Sequence, residues 1–294
     1  MEKETPQRDT VIIAVGNQKG GVGKTTNTIQ LAAALAERGR KSLIIDLDMT
    51  SGATKALRAP TEGWVGSYEL LTGAENAEDT IITNDEPEVH LPPNVHLVPS
   101  SRKLAELDIF LAQNPWLIHQ DLLLEPMARL QGKYDYIFLD TPPQKTKTTI
   151  PALKVADFVV LSAMPDHLAV SALAEALSDI ATARKHANPK LALLGVVVCA
   201  LSRPKTRLAR ELVSYVEKAC VDARGFTLKF STDISRSVVV QEAQRVGKSI
   251  LQYKGDHPVA DEYRALAREL EDRLSALRLQ EVTNSLEVGE VANA

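Results

Sequence analysis

Nine consecutive residues near the start of the chain have the composition of a loop that binds phosphate. Residues 18–26 read QKGGVGKTT. Glycines in such a loop let the backbone curl so that successive N–H groups point at an anion, and the dipole of the following helix adds positive potential. Lys24 is then expected to reach the β- and γ-phosphates of a nucleotide, and the Thr25 hydroxyl to ligate Mg²⁺. The residues predicted to line this site are Lys19, Gly20, Gly21, Val22, Gly23, Lys24, Thr25 and Thr26.

The front of this loop departs from the general phosphate-loop pattern. That pattern has glycine where this chain has Gln18, and the chain carries a second lysine, Lys19, beside it. The alternative is a Gly-rich turn with solvated lysines. An apolar run at 11–15 precedes the loop and a helical pattern follows it. Because a strand, a loop and a helix in that order are what phosphate binding requires, the functional interpretation is favoured.

Carboxylates end two other apolar runs. Asp46 and Asp48 follow the run at 42–45, and Asp140 ends the segment YDYIFLD, just before Thr-Pro-Pro. Open α/β sheets bind ligands at the carboxyl ends of their strands. Asp140 matches the pattern in which such a carboxylate fixes a water bound to magnesium. An alternative for Asp46 and Asp48 is an ordinary pair that caps a turn.

The elements that must position these residues alternate along the chain. Several of the apolar runs are rich in Val and Ile and lack polar alternation, which is typical of parallel strands covered on both faces. Strands are predicted at 11–15, 42–45, 95–98, 136–139, 158–161 and 193–199, and helices at 27–38, 102–113, 170–184, 207–223 and 258–279. This rhythm predicts an α/β fold, a doubly wound and mostly parallel sheet with helices on both faces.

One domain is predicted, over residues 10–280. Residues 1–9 are expected to form a short disordered N-terminus and residues 281–294 a flexible acidic tail. Residues 61–93 are less regular and are expected to form an excursion at one end of the sheet. Only about ten residues precede the first strand, which leaves no room there for a helix-turn-helix domain.

Composition restricts the classes of function. The net charge is −4 over 294 residues, so any contact with nucleic acid needs a local basic patch. Aromatic residues make up only 4%, which argues against broad base-stacking platforms. Two cysteines cannot form a disulfide framework, and the sequence has neither a signal-peptide core nor an apolar run of 18 residues. A cytoplasmic location is therefore predicted.

The loop sequence Lys-Gly-Gly-x-Gly-Lys-Thr, with the carboxylates above, resembles the deviant Walker A ATPases of the ParA/MinD class. Within that class the chain is most similar to the ParA (Soj) family of DNA-partition proteins. The resemblance runs from about residue 10 to 275 and includes NVHLVPS at 94–100, SRPKT at 202–206 and ISRSVVVQEA at 234–243. Ser235 replaces the family's proline, and Met49 and Thr50 replace its Pro-Gln after the second aspartate.

The resemblance implies a P-loop NTPase fold, ATP and Mg²⁺ as cofactors, and slow, partner-stimulated ATP hydrolysis. Lys19 would be the signature lysine that crosses a homodimer interface to the phosphates held by the other subunit, acting with Lys24. Asp48 would orient the attacking water. Asp46 would support the magnesium shell, together with Thr25 and Asp140.

The resemblance also implies that an ATP-bound sandwich dimer binds DNA without sequence preference in plasmid or chromosome partition. A ParB-like centromere-binding protein would stimulate hydrolysis and release the monomers, which makes the expected location the nucleoid. Arg236 occupies the family's DNA-contacting position, and an alternative for each basic residue is a solvated helix-face charge. The predicted DNA contacts are Arg203, Lys205, Arg207, Arg210, Arg236, Arg245 and Lys248.

Three rival classes are considered. A MinD-like membrane-associated division-site ATPase should end in a basic amphipathic anchor, whereas the last predicted helix mixes acidic and basic residues, so no membrane partner is expected. An iron–sulfur carrier would need cysteines near the nucleotide switches, and Cys199 and Cys220 lie elsewhere in the sequence. A ParA-like ATPase that positions a protein cargo stays open, because its ATP chemistry could be identical.

Overall fold

A computed structural model describes residues 9–60, 63–86, 89–202 and 204–291. Within them a six-stranded sheet has the order β3-β2-β4-β1-β5-β6. Every pairing between neighbouring strands is parallel, so the prediction of a doubly wound α/β fold is confirmed. The strands are β1 (Val11–Gly16), β2 (Ser42–Asp46), β3 (Val95–Val98), β4 (Tyr136–Asp140), β5 (Phe158–Ala163) and β6 (Ala192–Val198).

Helices connect the strands and cover both faces of the sheet. The predicted helix at 102–113 consists of a 3₁₀ turn, Arg102–Glu106, followed by α4. The α-helices are α1 (Lys24–Glu37), α2 (Gly52–Ala56), α3 (Ser67–Thr72), α4 (Leu107–Gln113), α5 (Leu124–Leu130), α6 (Thr149–Val155), α7 (Ala169–His186), α8 (Arg207–Ala219), α9 (Val238–Arg245), α10 (Ile250–Lys254) and α11 (Pro258–Val291).

Two apolar clusters lie on opposite faces of the sheet because successive side chains of a strand point to opposite sides. On β1, Ile13 belongs to the cluster that also contains Leu31 of α1 and Leu266 of α11. Its neighbour Ile12 belongs to the other cluster, with Leu173 of α7. Both faces of each central strand are therefore covered, which explains the continuous apolar runs in the sequence.

The irregular segment at 61–93 extends the sheet beyond its edge strand. Ile82 forms an antiparallel bridge with Leu97 of β3, with N···O distances of 2.7 and 3.0 Å. A 3₁₀ turn, Ala77–Thr80, and helix α3 lie on the same segment. The predicted excursion thus packs against the β3 edge.

The last helix is longer than the sequence pattern predicts, since it ends at Val291 and not at residue 279. Its buried side of Tyr263, Leu266 and Leu270 packs in the same cluster as α1. Glu271 of α11 is buried and accepts a hydrogen bond of 2.6 Å from Nε of Arg40, next to the end of α1. This helix therefore stabilises the element that carries the phosphate loop.

Candidate nucleotide and metal site

The glycine loop connects β1 to α1 at the carboxyl edge of the sheet, where the sequence places it. Gly21 and Gly23 have φ angles of 72° and 91°, a region that disfavours residues with a Cβ. Helix α1 begins at Lys24, so its unpaired N–H groups face the loop. A Cβ on Gly23 would lie 3.7 Å from Sγ of Cys199, which shows how closely the loop packs against the end of β6.

A buried amide holds the front of the loop in place. Asn17 donates from Nδ2 to the carbonyl oxygen of Ser162 at 2.7 Å. Its Oδ1 accepts the backbone N–H of Lys19 at 3.1 Å. On α1, Asn27 donates from Nδ2 to the hydroxyl of Ser162 at 2.8 Å. These hydrogen bonds therefore fix the loop and the start of α1 against the neighbouring strand β5.

The two lysines of the loop have different environments. Lys24 is buried, and its Nζ donates to the carbonyl oxygen of Lys19 at 2.9 Å. Burial lowers the pKa of Lys24, against the opposing charges of Asp140 and Asp48. The Lys19 side chain retains 26% of its exposure and forms an ion pair with Asp166, in the loop after β5. Lys24 thus points into the site while Lys19 lies on its rim.

The two strand-end carboxylates predicted to serve the metal are neighbours. Asp46 of β2 and Asp140 of β4 are register partners, and both are fully buried. Thr25 donates from Oγ1 to Oδ2 of Asp140 at 2.7 Å. Asp46 accepts two hydrogen bonds from Thr54 of α2, from the backbone N–H at 2.9 Å and the hydroxyl at 2.7 Å. The structure therefore brings together the three residues predicted to hold magnesium.

This pair of carboxylates is an unfavourable arrangement without a cation. Burial raises the pKa of Asp140 to about 8, and the charge of Asp46 adds to the effect. Burial also raises the pKa of Asp46 to about 6, against the hydrogen bonds from Thr54. Among the described residues no group of three or more His, Cys, Asp and Glu side chains could hold a metal by itself. A site of two carboxylates and one hydroxyl fits Mg²⁺, which keeps several waters and takes further oxygens from substrate phosphates.

Asp48 lies on the turn between β2 and α2. It is half-buried, and its Oδ1 accepts the backbone N–H of Thr50 at 2.8 Å. Ser100 donates from its hydroxyl to the Asp48 carbonyl oxygen at 2.7 Å. At the start of α2, a Cβ on Gly52 would lie 3.1 Å from Oγ1 of Thr25. The turn that carries Asp48 is therefore packed directly against the proposed metal ligand.

The predicted DNA contacts come from two segments that the fold brings together. Leu201, after β6, and Ser235 form a parallel bridge. Arg236 donates its backbone N–H to the Leu201 carbonyl oxygen at 3.0 Å. Arg203 lies outside the described residues. The exposed arginines of this set that the structure does describe are Arg207, Arg210, Arg236 and Arg245, and Lys205 is exposed as well.

Some of these cations are already neutralised. Lys205 donates from Nζ to Asp233 at 2.7 Å, and Arg207 donates from Nε to Glu211 at 2.7 Å. Within the described parts of the chain, Arg236, Arg245 and Lys248 form no ion pair. Arg236 and Arg245 lie at the two ends of α9. Arg210 forms none there either, although its Nη1 donates to the Lys205 carbonyl oxygen at 2.8 Å, so these four residues are the better candidates for an external anion.

Four residues of the site are not among the sequence predictions. Asn17 and Asp166 fix the front of the loop, Thr54 binds Asp46, and Gln244 of α9 donates from Nε2 to the hydroxyl of Thr26 at 3.1 Å. Asp166 follows β5, the strand beside β1, so its place at the carboxyl edge was accessible from the strand pattern. No sequence pattern indicates that Thr54 binds Asp46 or that Gln244 binds Thr26.

The described helices include none that is long and apolar enough to cross a membrane. Both cysteines are buried and free.

Comparisons with known proteins agree with this geometry. The sequence model of a family described as "AAA domain" matches residues 10–193. The chromosome-partitioning ATPase Soj of Thermus thermophilus is 36% identical over 262 residues, which cover 89% of this chain and 96% of that protein.

Two solved structures illustrate the similarity of fold. Cobyrinic acid a,c-diamide synthase from Mycobacterium smegmatis, with bound ADP and magnesium, has a TM-score of 0.70 and 25% identity, covering 88% of this chain and 93% of that one. An ATP complex of McdA from Cyanothece has a TM-score of 0.76 and 19% identity, covering 91% and 97% of the two chains.

Proposed function

Because the chain belongs to the ParA/Soj family of P-loop ATPases, we propose that it hydrolyses ATP with Mg²⁺ to drive the segregation of DNA. The observation that carries this proposal is the pair of lysines in one loop, with Lys24 buried against the loop and Lys19 on its rim. A P-loop enzyme needs only the lysine at the position of Lys24 for its own nucleotide. Lys19, on the rim, is available to a neighbouring subunit.

The phosphates of ATP fit the N-terminal end of α1, where the loop N–H groups and Lys24 supply positive charge. Thr25, Asp140 and Asp46 are the residues that would hold magnesium, directly or through water. Bound magnesium would offset the charge of the two buried carboxylates and of the phosphates. Asp48 would orient the attacking water, since its carboxylate lies on the turn that packs against Thr25.

Hydrolysis at such a site depends on positioning and charge neutralisation, with little covalent chemistry for the protein to perform. In the proposed cycle Lys19 leaves Asp166 and neutralises charge on the nucleotide of the partner subunit. Two subunits then enclose two ATP molecules, and the dimer persists until hydrolysis removes the γ-phosphate. ATP thus acts as a switch between monomer and dimer.

The dimer is proposed to bind the DNA backbone without sequence preference, through the cations at the ends of α9. Arg236 is exposed and forms no ion pair in the described chain. Doubling the number of such cations on dimerisation strengthens binding to a polyanion steeply, because each phosphate contact releases counterions. A ParB-like protein bound to a centromere then stimulates hydrolysis and releases the monomers from the nucleoid.

The experiment measures binding to a nonspecific DNA duplex by fluorescence anisotropy, with a non-hydrolysable ATP analogue and with ADP. We expect tight, salt-sensitive binding with the analogue only. Arg236→Ala should weaken it by about eightfold at 0.1 M salt for each lost phosphate contact. Arg129→Ala is the control for the loss of one positive charge, since Arg129 is exposed on α5, before β4, and is already paired with Glu125.

Binding to anionic lipid vesicles is measured under the same two nucleotide conditions, for comparison with binding to DNA. Binding to vesicles with the analogue, and no binding to DNA, would overturn the proposal in favour of a membrane-associated ATPase. Equal DNA binding with analogue and ADP would overturn the proposed switch.

A further inference from the structure

Arg58 has an unusual backbone conformation at the end of a helix next to the nucleotide site. It follows α2 and its C-cap residue Leu57, and its φ is 53°. This position after a helix normally holds glycine, since the left-handed conformation is strained for residues with a Cβ. Such strain persists only where the surrounding structure enforces it, which points to a use for the side chain. Arg58 is exposed.

The side chain of Arg58 runs across the end of α9. Its Nη2 donates to the carbonyl oxygen of Arg245, the last residue of that helix, at 2.9 Å. A Cβ on Gly247 would lie 2.8 Å from Cγ of Arg58, so only glycine leaves space for the arginine stem. Gly247 itself has a φ of 77°. The ends of α2 and α9 thus meet where Arg58 and Gly247, each with a positive φ, contact one another.

This meeting point is a cluster of uncompensated positive charge. Arg58 and Arg245 are exposed, and Lys248 is half-buried. None of the three forms an ion pair within the chain that the structure describes. Neighbouring cations that no ion pair neutralises attract a polyanion. One hydrogen bond to a carbonyl uses one of the five N–H donors of the guanidinium, which leaves donors for phosphate.

Both helices of the cluster are attached to residues proposed to bind the nucleotide and its metal. On α2, Thr54 donates two hydrogen bonds to Asp46, and Gly52 packs over Thr25. On α9, Gln244 donates to the hydroxyl of Thr26 at 3.1 Å. A movement of the turn that carries Asp48, between Asp46 and α2, would therefore be transmitted along α2 to its last residues.

We propose that Arg58 is a further contact to the phosphate backbone of DNA, placed beside Arg245 and Lys248 by its left-handed conformation, and that α2 connects this contact to the nucleotide site. The inference rests on the proposed function, since it assigns a residue and a connection to the same DNA-binding dimer. Residue 58 lies only ten positions after Asp48, so one short segment serves both hydrolysis and DNA binding.

The test measures the affinity of Arg58→Ala for a nonspecific duplex with the non-hydrolysable analogue, over a range of salt concentrations. Each copy of Arg58 that contacts DNA should contribute about 0.9 to the slope of log affinity against log salt, or about eightfold in affinity at 0.1 M relative to 1 M salt. Arg58→Lys should retain most of the slope. Arg129→Ala again controls for net charge, and nucleotide affinity and thermal stability are measured in parallel.

Unchanged DNA affinity and slope in Arg58→Ala, with DNA binding of the unmodified protein intact, would overturn this inference and leave the proposed function standing. That result, accompanied by a loss of stability, would assign Arg58 to capping α9 only. If Arg58→Ala lost as much affinity for the nucleotide as for DNA, that result would also overturn the inference. A variant that bound anionic vesicles more weakly, with its DNA affinity unchanged, would overturn it as well. Failure of the unmodified protein to bind DNA would instead contradict the proposed function.

Discussion

Replacing Asp140 by asparagine is predicted to stabilise the metal-free protein while removing the magnesium-dependent part of its response to ATP. Asp140 and Asp46 are fully buried register partners on β4 and β2. Neighbouring strands lie about 4.8 Å apart, so the two carboxylates repel one another in a poorly solvated place. Asparagine has nearly the same shape, and its carbonyl oxygen can still accept the 2.7 Å hydrogen bond from Thr25.

The magnitude follows from the titration of this carboxyl. Burial, reinforced by Asp46, raises the pKa of Asp140 to about 8, and an unfolded chain has an ordinary value of about 3.9. Because the folded state holds the proton more tightly, the contribution of Asp140 to stability is complete at acid pH and is lost as pH rises from about 4 to about 8. The upper bound of that loss, about four pKa units at about 1.4 kcal/mol each, is about 6 kcal/mol. Relaxation around the pair lowers it, and we expect Asp140→Asn to be about 2 kcal/mol more stable at pH 8.

The assay is urea unfolding at pH 6 and pH 8, first in EDTA and then in EDTA with ATP. A third series contains ATP and magnesium and no EDTA. The midpoint of Asp140→Asn should rise relative to the unmodified protein, more at pH 8 than at pH 6, with an unchanged m-value. Magnesium should add to the stabilisation by ATP in the unmodified protein and not in the variant. Asp256→Asn, at an exposed site, is the control. Lower stability of Asp140→Asn in EDTA at pH 8, or a full magnesium response, would refute the reasoning.

Three further substitutions test how the loop and its supports are held. Gly23→Ala forces a Cβ into a φ of 91° and should cost about 1 to 2 kcal/mol in denaturant unfolding and weaken ATP binding in calorimetry. Tyr263→Phe removes the 3.0 Å hydrogen bond to Asn27 Oδ1 and should lower the unfolding free energy by about 1 kcal/mol; an unchanged midpoint would contradict it. Thr54→Val removes a 2.7 Å hydrogen bond to buried Asp46 and should cost about 2 kcal/mol, with weaker magnesium dependence of ATPase activity, which Thr54→Ser should restore.

The sequence allowed the strands and the phosphate loop to be predicted because both depend on local patterns. A strand buried on both faces must be continuously apolar, and β3 was predicted to its last residue at Val98. The loop needs glycine where φ is positive, as at Gly23. The convergence of Asp46 and Asp140 followed from a general property of parallel sheets, since their strands end at the same edge.

What could not be predicted depends on contacts between distant segments. The bond from Arg58 to Arg245 joins residues 187 positions apart, and neither residue type demands the other. The ion pair of Lys19 with Asp166 joins loops that only the order of β1 and β5 makes neighbours. The extension of α11 to Val291 also exceeds its apolar periodicity, which ends near residue 277.

The central claim is that Lys19 of one subunit contacts the nucleotide of the other. Sedimentation equilibrium with magnesium and a non-hydrolysable ATP analogue tests it most directly. The variant is Lys19→Ala, and the control is Lys190→Ala. Lys190 is exposed and lies before the amino end of β6, whereas Lys19 follows the carboxyl end of β1. We expect twice the 32.1 kDa chain mass for the unmodified protein and for Lys190→Ala, and the monomer mass for Lys19→Ala with the analogue still bound. A Lys19→Ala dimer as tight as that of the unmodified protein would contradict the account.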